Sequence, residues 1–121
     1  MNALVVDDSK AMRMILGNTL KEAGLRVVEA GDGREAITRL NQGEPVDLML
    51  VDWNMPVMNG YELVCAVRAN PLLSNVLIMM VTTETSMAQV EQALAAGANE
   101  YLMKPATKEM ILEKLALLGV T

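Results

Sequence analysis

Leu48-Met-Leu-Val51 stops at Asp52, and three other stretches of this chain are built the same way. Ala3-Leu-Val-Val6 stops at Asp7 and Asp8, Val76-Leu-Ile-Met-Met-Val81 at Thr82, and Tyr101-Leu-Met103 at Lys104. Short apolar runs with helical segments between them read as buried strands of a parallel sheet. Ligands and chemistry gather at the carboxyl ends of such strands. Asp7, Asp8, Asp52, Thr82 and Lys104 are therefore expected in one crevice. Three carboxylates, a hydroxyl and an ammonium together suit a metal-assisted site for a phosphoryl group.

Outward from these runs, strand and helix alternate five times. The predicted strands are Asn2–Val6, Arg26–Ala30, Asp47–Val51, Leu77–Val81 and Glu100–Met103. The first helix is capped by Ser9 and runs to Gly24, and the second spans Gly33 to Asn41. The third spans Gly60 to Ala69 and is closed by Asn70-Pro71; the fourth runs from Ser86 to Ala96 with Gly97 as its stop. The last opens at Thr107 and ends at Gly119. No repeat and no low-complexity linker interrupts the series. The alternation predicts an α/β fold, a doubly wound parallel sheet with right-handed crossovers.

Composition narrows the function classes. A chain of 121 residues makes one domain with one core, here taken as residues 1–121. Hydrophobic residues make up 52%, as a sheet covered on both faces requires. No apolar run approaches the roughly 20 residues that span a bilayer, so no membrane insertion is expected. The first residues enter a strand directly, without a basic region followed by an apolar stretch, so a secretion signal is not expected. Cys65 is the single cysteine, which excludes an internal disulfide and fits a reducing cytoplasm. A net charge of −5 argues against a nucleic-acid surface, and the absence of histidine removes imidazole bases.

Crowding Asp7, Asp8 and Asp52 is costly without a cation. Magnesium fits, being a hard ion that takes oxygen ligands and retains water for an incoming phosphate. Mg²⁺ and Lys104 together balance the three carboxylates, and a doubly charged phosphoryl group on Asp52 then leaves one excess negative charge. A carboxylate attacks phosphorus in line to form an acyl phosphate, so Asp52 is the candidate phosphoacceptor. Thr82 offers a hydroxyl, and Thr83 a backbone N–H, to phosphoryl oxygens. Lys104 is a compact charge able to pair with Asp52 before modification and with the phosphoryl group after it. Each has a plainer role when taken alone: a helix cap, a turn residue, strand filler, a solvated charge. Their arrival at one sheet edge is what favours chemistry.

The motifs Val5-Val-Asp-Asp8, Val51-Asp-Trp-Asn-Met-Pro56 with Asn59-Gly60, Val81-Thr-Thr-Glu84, Tyr101 and Lys104-Pro105 together resemble a response-regulator receiver domain. The nearest likeness is to single-domain, CheY-like chemotaxis receivers, through Asp52-Trp-Asn-Met-Pro56 and Thr82 followed by Glu84. The resemblance implies a flavodoxin-like sheet of five strands in order 2-1-3-4-5 with five helices. It implies that Asp8, the Asp52 side chain and the Asn54 backbone carbonyl ligate Mg²⁺, with Asp7 acting through water. It implies a cis Lys104–Pro105 bond that aims the lysine inward, and a switch in which Thr82 moves to the phosphoryl group while Tyr101 turns inward. Asn54 and Glu84 stand where receivers tune hydrolysis. The family usually has an aromatic residue where this chain has Ala106. With eleven methionines and no phenylalanine, most of the methionines read as core filler in place of aromatic bulk.

The implied partners are a histidine kinase or phosphotransfer protein as donor, a phosphatase, and a downstream target, either a flagellar motor switch or another signalling protein. The implied output surface is the fourth helix, fifth strand and fifth helix. In the last helix Ile111, Leu115 and Leu118 form the core stripe, and Met110 and Leu117 fall off it. Met14 points away from a Met12-Ile15-Leu16 stripe in the first helix and is a candidate kinase-docking contact. A phosphorylation-independent receiver used only for interaction is a further option, disfavoured because all five pocket residues are present, and two other classes fit less well. An aspartyl-phosphate hydrolase often carries its nucleophile in an Asp-x-Asp segment after the first strand, where this chain has Asp7-Asp8. A flavin domain needs a phosphate-cradling loop there, and adjacent aspartates would repel the phosphate. A signalling role without turnover on external substrates is expected. The chain ends soon after its last helix, consistent with either a free messenger or a receiver cut from a longer protein.

Overall fold

Five four- to six-residue strands, almost wholly apolar at the centre, form one parallel sheet in the computed structural model, which describes residues 1–84 and 86–120. The order of elements is β1 (Asn2–Val6), α1 (Lys10–Glu22), β2 (Arg26–Ala30), α2 (Gly33–Asn41), β3 (Leu48–Val51), α3 (Gly60–Arg68), β4 (Leu77–Thr82), α4 (Met87–Ala96), β5 (Glu100–Met103) and α5 (Lys108–Leu117). A short 3₁₀ turn, Pro71–Leu73, follows α3. The strands lie in the order β2-β1-β3-β4-β5, all parallel. This is the doubly wound, five-helix arrangement expected from the sequence.

Alternate residues of the central strands face opposite sides of the sheet, so two cores form. Leu4, Val6, Met49, Val51, Ile78 and Met80 pack on one side with residues of α2, α3 and α4. Ala3, Val5, Leu48, Leu50, Met79 and Val81 pack on the other with residues of α1 and α5. Register aligns the strand ends: Val6 pairs with Val51, Val51 with Met80, and Thr82 with Met103. The residues that follow β1, β3 and β5 therefore emerge along one edge, beside the end of β4.

Each helix begins at a capping side chain. Ser9, Asp32, Asn59, Ser86 and Thr107 accept a backbone N–H from the first turn of α1 to α5 respectively. Asn59 and Glu62 satisfy each other's backbone N–H groups in a capping box. Gly97 ends α4 at φ 121°, a conformation that side-chain-bearing residues avoid. Several boundaries differ from the sequence reading, among them the end of α5 at Leu117, ahead of Gly119, and of α3 at Arg68, ahead of Ala69. Asp47 lies outside β3, where its carboxylate accepts the Asn2 N–H at 2.8 Å. β4 extends to Thr82, which pairs with Met103. α1 stops at Glu22, ahead of Gly24.

One packing expectation needs correction. Ile15 is 57% exposed, because the line that meets the sheet runs through Met12, Leu16 and Leu20, and Ile15 lies about 100° off it. Six of the eleven methionines fill the cores, as expected: Met49, Met79 and Met80 are fully buried and Met12, Met55 and Met58 pack against the same cores, whereas Met1, Met14, Met87, Met103 and Met110 are exposed. Ala106 packs against the α1 and α5 core. Arg68 ties α3 to the end of α4 and the start of β5, donating to the Gly97 carbonyl and to Asn99 Oδ1 at 2.9 Å each. Among the described residues no helix is long and apolar enough to cross a membrane.

Candidate functional site

Asp7 and Asp8 follow β1, Asp52 follows β3, Thr82 ends β4 and Lys104 follows β5. The sheet brings all five to one edge, as the sequence predicted. Carboxylate oxygens of Asp7, Asp8 and Asp52 lie within 4.8 Å of one another. Asp7 and Asp52 are buried, Asp8 is exposed, and Thr82 is completely covered. The aspartates thus form a pocket with one open, water-facing wall.

Lys104 spans the two buried carboxylates. Its Nζ lies 2.7 Å from Asp7 Oδ2 and 3.5 Å from Asp52 Oδ2. The hydrogen bond goes to Asp7, so the pairing expected with Asp52 is the longer of two contacts. The Lys104–Pro105 bond is cis, as the resemblance implied. All three oxygens of Asp7 are held. Oδ1 accepts the Ser9 N–H at 2.9 Å, Oδ2 accepts Lys104, and the main-chain oxygen accepts Arg13 Nη1 at 2.6 Å. Arg13 also reaches Glu29 Oε1 at 2.9 Å. Sequence reading passed over Arg13, since a basic residue in the second turn of a surface helix looks like any solvated charge.

Asp52 is the least satisfied group in the pocket. Its Oδ1 is buried without a hydrogen-bond partner among the described residues. Burial pushes its carboxyl above the ordinary value, with the Asp7 charge adding to the rise, while the Thr82 hydroxyl and Lys104 oppose it. An orphaned buried carboxylate oxygen beside two further carboxylates calls for a cation that one lysine does not supply. The donor set is oxygen only, with neither thiolate nor imidazole, and fits Mg²⁺.

The surrounding residues link this pocket to the neighbouring surface. Asn54 is exposed, and its Nδ2 donates to Glu84 Oε1 at 2.7 Å. Glu84 N–H donates to Thr82 Oγ1 at 3.3 Å, and its carbonyl accepts the Tyr101 hydroxyl at 2.9 Å. Burial, helped by the Glu84 and Asp52 charges, holds the Tyr101 phenol above its usual range and keeps it a donor. Thr83 is exposed beside the pocket. Tyr101 also lines a groove of about 370 Å³ between α4, β5 and α5, with Met87, Val90, Met103, Met110 and Lys114. Met110 therefore does belong to a surface patch; Leu117, 69% exposed, lies outside that lining. Met14 is exposed on α1, as expected.

Comparison with known proteins places this geometry. Residues 3–116 match the model of the response regulator receiver domain. A chemotaxis protein CheY homolog from Campylobacter jejuni is 49% identical over 116 residues, covering 95% of this chain and 89% of the relative. The chemotaxis protein CheY1 of Helicobacter pylori is 46% identical, covering 95% and 94%. The structure of the chemotaxis protein CheY4 of Vibrio cholerae superposes with a TM-score of 0.88 at 40% identity, covering 96% of each chain.

Proposed function

The chain belongs to the response regulator receiver family, and on that premise we propose that Asp52 takes a phosphoryl group from a phosphohistidine donor and that the change is passed to a downstream protein. The supporting observation is the pocket itself: three carboxylates within 4.8 Å, one buried oxygen without a partner, and a lysine spanning two of them. Asp8, Asp52 and the Asn54 carbonyl would hold Mg²⁺, with Asp7 acting through water. When bound, the ion supplies positive charge against the carboxylates and the transferring phosphoryl group.

The residues of the chain then do the following. An Asp52 oxygen attacks phosphorus in line, the P–N bond to the donor imidazole breaks, and the released imidazole takes a proton from water. Lys104, already 3.5 Å from Asp52, pairs with the new negative charge. The Thr82 hydroxyl and the Thr83 N–H donate hydrogen bonds to the phosphoryl oxygens. Asn54 and Glu84, joined at 2.7 Å, set the access of hydrolytic water and so the phosphoryl lifetime. Self-phosphorylation and slow self-hydrolysis are the only catalysis, with no turnover on external substrates.

The signal leaves through Glu84. Thr82, on moving to the phosphoryl group, releases the Glu84 N–H, and Tyr101 turns inward from the Glu84 carbonyl, reshaping the groove between α4, β5 and α5. Relatives named for chemotaxis make that pathway the proposed setting. The proposed partners are a histidine kinase or phosphotransfer protein, a phosphatase and a motor-switch or other signalling target. Trp53, 8% exposed and stacked on Tyr61 at 5.6 Å, reports on the site. Its emission, with calorimetry as an independent check of binding, should respond saturably to Mg²⁺ and then to beryllofluoride, and Asp52→Asn should lose the second response. Absence of both responses in the wild type overturns the reading.

A further inference from the structure

We infer that Arg13 is a positioning residue for the metal ligands of the β1–α1 turn. The inference rests on the reading of Asp7, Asp8 and Asp52 as an Mg²⁺ site. The decisive contact is Arg13 Nη1 to the main-chain oxygen of Asp7, at 2.6 Å. That oxygen belongs to the peptide linking Asp7 to Asp8. A peptide is planar, so holding its oxygen sets the plane and with it the direction in which Asp8 leaves the backbone. Asp8 is exposed and needs such a constraint, whereas the Asp7 carboxylate is already held by Ser9 and Lys104.

A guanidinium beside a cation site would ordinarily oppose the cation. Glu29 on β2 answers this, because its carboxylate sits 2.9 Å from Arg13 Nε and cancels the charge. Arg13 side-chain exposure is only 18%, so the fork is held between its two partners rather than loose in solvent. The geometry of a fork explains the choice of residue. Nε serves β2 while Nη1 serves the turn after β1, one planar group crossing from α1 to two neighbouring strands.

Electrostatics and positioning make opposite forecasts, which makes the test sharp. Removing a positive charge near the pocket should tighten Mg²⁺ binding if charge alone mattered. Loss of positioning should weaken it. The Mg²⁺ dissociation constants of wild type, Arg13→Gln and Arg13→Lys are measured by calorimetry and Trp53 emission, with thermal melts in EDTA alongside. Arg13→Gln should raise Kd about tenfold, the low end for groups that orient metal ligands. Arg13→Lys keeps the charge but loses the fork; a rise of about threefold is expected, and it decides the matter should Arg13→Gln fail to fold. A contact that serves stability alone would lower Tm and leave Kd unchanged. A variant Kd equal to or tighter than that of a wild type that binds Mg²⁺ overturns the inference alone. A wild type that binds no Mg²⁺ overturns it together with the site it rests on.

Discussion

Asp52 resists ionisation in the folded chain because burial penalises its charged form. Its folded pKa lies above the ordinary value of 3.8, so the stability it contributes is fully present below that pH and is lost as pH rises through the folded pKa. At neutral pH without metal the ionised carboxylate is therefore a burden on the fold. Asp52→Asn in EDTA should melt about 3 °C higher than wild type at pH 7, with the difference fading towards pH 3. A variant that melts at or below wild type at pH 7 contradicts this account of the pocket. Val57, five residues on, carries a second local cost. It is 72% exposed, β-branched, and held at φ 69°, a left-handed conformation that costs about 1–3 kcal/mol. Its neighbours close the turn through the Met58 N–H and the Pro56 carbonyl at 2.7 Å, in the same loop as Asn54.

At the scale of elements, α3 matters most to the pocket because its first residue docks on the peptide of Asp52. A Cβ at Gly60 would overlap the Asp52 carbonyl oxygen and lie 2.9 Å from Trp53 Cα. Gly60 N–H also donates to the Trp53 carbonyl at 2.9 Å, closing the loop that holds Asn54. Gly60→Ala should therefore cost about 2–3 kcal/mol in urea unfolding, as overpacking does, and should blunt the Trp53 response to Mg²⁺. Gly43→Ala is the control. At φ 84° with nothing within 4 Å, it should cost only about 1 kcal/mol and leave the Mg²⁺ response intact. Equal losses in the two variants would mean that close packing on Asp52 has no special weight.

For the whole molecule, the sheet is shared by two cores, and cooperativity follows from the shared strands. Met79 faces the α1 and α5 core, while Trp53 lies in the other. Met79→Ala should cost about 3 kcal/mol, and its unfolding followed by Trp53 emission should coincide with that followed by far-UV circular dichroism. Separate transitions would show that the two faces unfold independently. The sequence by itself determined the alternation of strands and helices, the Ser9 cap of the first helix and the meeting of Asp7, Asp8, Asp52, Thr82 and Lys104. Those features are local, or follow from parallel pairing, which sends every strand end to one edge. It did not determine that Lys104 lies nearer Asp7 than Asp52, that Ile15 faces outward, that Arg13 reaches the Asp7 carbonyl, or that Glu84 joins Asn54 to Tyr101. Each of these depends on how a helix is rotated against the sheet and on which atoms a long side chain then meets across space. Only tertiary packing decides that, because neighbours far apart in the chain compete for the same oxygens and the same volume.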